Sequence, residues 1–205
     1  MNLALFVTLA SIHLAVVMSP GSNFMAVTTN ALAYSRRTGL LTVGGVATGS
    51  SLYIIAGVIG FAAIISQSPL IYNVIRFVGA AYFLYLSYRL FTRQPRLNGD
   101  ISTSAAADLT RGQAYRSGLL AAIANPSAAL YFLSLFTTFI PVSSALVEKV
   151  LAGLLLLAIT TTWYALIATT FSSARVRAFY RRAELWMNRV FGLIWLLLAV
   201  KLAFS

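Results

Sequence analysis

The side chains able to do chemistry in this chain gather at two helix-breaking stretches, Ser19-Pro20-Gly21-Ser22-Asn23 and Asn125-Pro126-Ser127. Both interrupt apolar runs. Proline removes a backbone donor and clashes with the preceding turn, and glycine lowers helix propensity further. In lipid such a break leaves backbone groups unpaired, at several kcal/mol each, unless it packs against protein or lines a cavity. Proline suits the first position of a helix, with Ser or Asn as the cap before it. Ser19-Pro20 and Asn125-Pro126 both have that form, so each is expected to restart a half-helix near mid-membrane. The free N–H groups and positive dipole ends of such helices favour an anion, such as a substrate carboxylate. The hydroxyls of Ser19, Ser22 and Ser127 and the amides of Asn23 and Asn125 would orient the rest of a small polar ligand. The alternative is a pair of structural kinks packed by neighbouring helices.

His13 is the only histidine and lies about two turns before the first break. An ionisable group inside a membrane is a functional candidate by default, and imidazole, with its ordinary pKa of about 6.5, suits proton coupling. The alternative is a neutral, hydrogen-bonded histidine near the outer headgroups. Tyr53 and Tyr164 either line a cavity and bind the ligand or serve as packing aromatics. The four acidic residues, Asp100, Asp108, Glu148 and Glu184, fall in or beside linkers, and there is no cysteine. One His and no Cys argue against a metal site, and no carboxylate cluster exists for a metal-dependent enzyme. A serine nucleophile lacks an established base. The expectation is a protein without metal, cofactor or catalytic residues.

The elements that must position these groups are membrane helices. Of 205 residues 60% are hydrophobic, against roughly 45–50% in soluble domains; 9% are charged, and mean hydropathy is +0.85. The net charge of +11 does not point to nucleic acid, because the arginines sit in short segments between apolar runs, as the positive-inside rule describes. The apolar start of the chain lacks the basic flank and cleavage site of a signal peptide and reads as a first span. The chain reads as an all-α polytopic protein with spans at 3–34, 39–65, 73–91, 117–140, 147–171 and 189–204. Twelve basic residues, Arg89 among them, lie on one side and three on the other. That bias puts the Arg-rich linkers in the cytoplasm and both termini outside. Arg76 and Arg189, at span ends, can snorkel; the other arginines read as orientation determinants and anionic-lipid contacts.

The chain also repeats itself. Ser19-Pro20 pairs with Asn125-Pro126, Ser51-Leu52-Tyr53 with Thr162-Trp163-Tyr164, and Arg76-Phe77-Val78-Gly79 with Arg189-Val190-Phe191-Gly192. The expected organisation is a three-helix repeat over 1–92, a cytoplasmic linker over 93–116 and a second repeat over 117–205. Three spans is an odd number, so the second repeat would be inverted, an arrangement recurrent in secondary transporters. Gly45-x-x-x-Gly49 is a small-residue motif for close helix packing, either within the chain or against a second copy.

Ser19-Pro20-Gly21-Ser22, the basic turn Ser35-Arg36-Arg37-Thr38-Gly39, the glycines of the second span and Asn125-Pro126-Ser127-Ala128-Ala129-Leu130-Tyr131-Phe132 together resemble the lysine exporter and homoserine/threonine exporter family (LysE/RhtB). The chain departs from it at Ser22, where the family has a second proline, at Ser127, where lysine is common, and at Thr137-Thr138-Phe139, where Pro-Gln-Phe is usual. The resemblance implies proton-driven export of amino acids or derivatives across a bacterial inner membrane, often as a homodimer. The resulting expectation is a secondary transporter whose repeats move around a central site, with a small zwitterion and the bilayer as partners. A channel or exporter for another solute, and a lipid-modifying enzyme, are the alternatives.

Overall fold

A computed structural model of the chain describes residues 3–61, 69–92, 109–141, 143–171 and 174–204. These residues form eight α-helices and no strand. The helices are α1 (Leu3–Met18), α2 (Ser22–Ala33), α3 (Arg36–Ala56), α4 (Pro69–Thr92), α5 (Arg111–Ile123), α6 (Pro126–Phe139), α7 (Leu146–Thr170) and α8 (Ala174–Phe204). A π-helical turn, Gly57–Phe61, extends α3. Arg36–Ile59 and Leu146–Thr170 are each long and apolar enough to cross a membrane. Helices α1 and α2 meet at 55°, and α5 meets α6 at 56°; each bent pair passes the same test as one broken span. The expected spans at 73–91 and 189–204 fall within α4 and α8.

Three boundaries differ from the sequence reading. The first half-helix does not restart at Pro20. Gly21 takes the cap with an extended backbone (φ −132°, ψ −169°), and Ser22 opens α2. Pro20 falls in the link, where it pushes Ser19 away from helical backbone. Helix α5 begins at Arg111, inside the expected linker, because Thr110 and Gln113 form a capping box: Gln113 N donates to Thr110 Oγ1 (3.3 Å) and Thr110 N to Gln113 Oε1 (2.9 Å). The rest of that linker, 93–108, lies outside the described residues. The Arg-rich segment before the sixth span is helix from Ala174 onward. It has no Gly or Pro before Gly192, and Arg, Ala, Glu and Leu are good helix formers whatever their charge.

Packing is closest between α3 and α5. A Cβ on Gly45 would collide with the Tyr115 carbonyl oxygen and lie 2.6 Å from Leu119 N; one on Gly118 would strike the Thr42 carbonyl oxygen. A Cβ on Gly49 would sit 2.6 Å from Ala122 Cβ. The Gly45-x-x-x-Gly49 motif therefore serves packing within the chain, where glycine lets two backbones touch. Helix α4 runs antiparallel to α8: Phe83 meets Trp195 (ring centroids 4.9 Å apart), and Ser87 Oγ donates to the Gly192 carbonyl at 2.8 Å. Helix α7 packs on α1, α2 and α3. Two apolar clusters, one around Leu9, Phe136 and Leu156 and one around Phe24, Val46 and Phe171, make the interior. Outward-facing Leu3, Ile59, Val147 and Leu197 are more than half exposed, as lipid-facing side chains are.

Candidate functional site

Both breaks open on one cavity of about 440 Å³, within the usual range of roughly 300–1,000 Å³ for small-molecule sites. The α1–α2 link contributes Ser19, Pro20 and Gly21, and the first turn of α2 adds Ser22 and Asn23. Asn125 enters from the α5–α6 break, followed along one face of α6 by Ala128, Tyr131 and Phe132. Helix α1 supplies His13, Val16 and Val17, α7 supplies Thr160 and Tyr164, and α3 supplies Ser50. Met25 of α2, Leu86, Arg89 and Leu90 of α4 and Trp195 of α8 complete the wall.

Of the residues expected from sequence, Ser19, Pro20, Gly21, Ser22, Asn23, Asn125, Tyr164 and His13 share this cavity. The α2 N-terminus has no side-chain cap. Ser22 Oγ instead lies 3.4 Å from the Ala121 carbonyl oxygen of α5, joining the two bent pairs at the cavity edge. The Asn23 amide faces the Tyr164 hydroxyl, and Asn23 Oδ1 is buried without a hydrogen-bond partner among the described residues. At Asn125-Pro126 the helix restarts as the sequence suggests: Pro126 opens α6, and Ala128 N donates to the Asn125 carbonyl at 3.0 Å. The side chains of Pro126 and Ser127 lie outside the described ones.

Tyr53 does not line the cavity. Its hydroxyl donates to the carbonyl of Ile123 at 2.7 Å, and its ring stacks on Phe132. Ile123 ends α5, so Tyr53 satisfies one of the carbonyls that a helix C-terminus leaves unpaired. Its repeat counterpart Tyr164 is buried in the cavity wall.

His13 is 1% exposed and hydrogen-bonded at both nitrogens. Nδ1 is 2.8 Å from Tyr131 Oη and Nε2 is 2.8 Å from Thr160 Oγ1. A neutral imidazole donates at one nitrogen and accepts at the other, and each hydroxyl can do either, so both tautomers are satisfied. The ring also stacks on Tyr131, with centroids 5.7 Å apart. The histidine of α1 is thus hydrogen-bonded to α6 and α7.

Tyr131, Thr160, Ser50, Trp195 and Arg89 were not among the sequence-derived site residues. Helical spacing could have found two of them, since Tyr131 follows Asn125 and Ala128 on one face and Thr160 precedes Tyr164 by one turn. In sequence Arg89 reads only as an orientation determinant. Among the described residues it is the sole charged side chain on the wall, and no carboxylate lines the cavity.

A family model described as LysE type translocator matches residues 14–205. The chain is 26% identical over 191 residues to a threonine efflux protein of Escherichia coli (strain K12), covering 93% of each chain. It is 30% identical over 193 residues to the uncharacterized membrane protein YahN of the same strain, covering 91% of this chain and 83% of YahN. It is 28% identical over 129 residues to a leucine efflux protein of Salmonella choleraesuis (strain SC-B67), covering 63% of this chain and 60% of that protein. No solved structure matches the chain.

Proposed function

The chain belongs to the LysE type translocator family, and from that premise we propose that it exports an amino acid or similar small zwitterion across the bacterial inner membrane. It is a transporter and not an enzyme. The observation that carries the substrate reading is the meeting of both helix breaks at one cavity of ligand size. The N–H groups at the start of α2 suit a carboxylate, and the Asn23 and Asn125 side chains line the same cavity. Ser19, Ser22, Asn125, Ser127 and Tyr164 complete the proposed site. The efflux proteins of threonine and leucine among the relatives support an amino acid as cargo.

The mechanism is alternating access of this cavity to the two sides of the membrane. His13, between two hydroxyls that can each reverse their hydrogen bonds, is the proposed proton carrier. The spans number six, in two inverted repeats over 1–92 and 117–205. The recurrence of a bent pair followed by two long helices, and the antiparallel pairing of α4 with α8, support that reading. The excess of basic residues on one side supports both termini outside.

Counterflow in proteoliposomes with a panel including threonine and leucine tests the export reading. The expected result is saturable counterflow of at least one amino acid. Non-saturating flux would mean a channel, and no flux from protein shown to be folded would sink the reading. Labelling of cysteines placed at Asn2 and Arg96 tests the topology, which labelling of position 2 from the cytoplasm would overturn.

A further inference from the structure

We propose that Arg89, on the cavity wall, recognises the substrate's carboxylate together with the N–H groups at the start of α2. The cavity then takes an amino acid with a neutral side chain and rejects one with a cationic side chain. This rests on the export reading above and narrows its substrate class.

The argument begins with the face of α4. Leu86, Arg89 and Leu90 follow helical spacing and all three line the cavity. Their register is fixed by the antiparallel contact with α8: Ser87 bonds the Gly192 carbonyl, and a Cβ on Gly192 would lie only 3.2 Å from the Phe91 ring. Helix α4 cannot turn Arg89 away without breaking that contact. Leu90 is buried and Arg89 is exposed, so the guanidinium is reachable from outside the packed interior.

Its guanidinium has no hydrogen-bond or ion-pair partner among the described residues, which leaves its donors available. A guanidinium offers a planar fork that matches a carboxylate with two parallel bonds. Among the described residues the rest of the wall holds no counter-charge: its polar groups are hydroxyls, amides and a doubly hydrogen-bonded His13, and its apolar part includes Val16, Val17 and Trp195. A carboxylate is drawn to this site. A lysine-like side chain would find a positive charge and no anion.

The obvious rival is a headgroup phosphate on Arg89, because arginines at helix ends also meet anionic lipid. The test uses purified protein in liposomes of zwitterionic lipid alone and of zwitterionic lipid with anionic lipid. Counterflow is measured for a neutral amino acid, for its amide and for lysine. In both lipids Arg89→Gln is expected to raise KM for the acid by about 10- to 100-fold and to leave the amide's KM in place. Arg89→Lys should recover part of the loss, since it keeps charge but not the fork. Wild-type protein should prefer the neutral acid to lysine by at least about tenfold. Melting temperatures close to wild type in both variants would establish that the fold is intact. Equal shifts for acid and amide, an effect confined to anionic lipid, or wild-type lysine counterflow matching the neutral acid would overturn the assignment while leaving export standing. No wild-type counterflow for any amino acid would overturn export and this inference together.

Discussion

At the first break Gly21 caps the second helix and Pro20 lies in the link; at the second, Asn125 precedes a proline that opens the helix itself. The bends are 55° and 56°, so the same turn is reached by different local chemistry. The fastenings differ more than the bends. The first pair is held from α1 by His13, through a hydroxyl on α7 and one on α6 of the second pair, and from α2 by Ala31 against Gly39 of α3. The second is held through α5 by glycines that let its backbone touch α3. A hydrogen bond accepts a substitute partner, whereas backbone contact has none, so damage to the two pairs should differ in kind.

The largest effect should come from the steric side. Gly118→Val would drive a branched side chain into the Thr42 carbonyl and Val46 N, and the expected outcome is loss of folded protein, read as membrane abundance. Normal abundance and melting would break the contrast. Next comes the polar side. His13→Ala leaves Tyr131 and Thr160 without their shared partner, at about 1–3 kcal/mol for each unsatisfied group. The protein should still accumulate, with a lower melting temperature and without transport driven by a pH gradient; retained gradient-driven transport would remove His13 from coupling. Gly21→Leu should leave abundance unchanged, because a Cβ there meets only the Ser19 carbonyl oxygen at 3.9 Å. It should cut counterflow at least about tenfold, equivalent to roughly 1.4 kcal/mol, by filling the cavity. Gly21→Ala should stay close to wild type, and an equal loss in both would mean that glycine acts through the backbone. The smallest effect is Tyr53→Phe, which frees the Ile123 carbonyl and should cost about 1 kcal/mol with transport retained. A transport defect without a stability change would return Tyr53 to the site.

The breaks were legible in the sequence because Pro and Gly act locally on the backbone. Their convergence on one cavity was suggested by the repeat, which pairs positions in the two halves. It could not assign helix faces, and so Tyr53 and Tyr164, equal by position, part company in space. His13 shows a second limit: its partners lie 118 and 147 residues away, and no spacing rule reaches that far. Arg89 shows a third. Counting arginines by linker treats each as a topological charge, whereas the contact of α4 with α8 decides which arginine turns toward the cavity. The segment 174–188 read as a linker because it is charged, but charge outside the apolar core does not interrupt a helix.

The interlock of α3 with α5 joins an element from each half of the chain. Where Gly45 and Gly118 let main chain rest on main chain, there is no flexible side chain to absorb a slip or a tilt. The two halves of the sequence therefore meet main chain to main chain along this seam, and any change of access that moved one half against the other would have to part that contact.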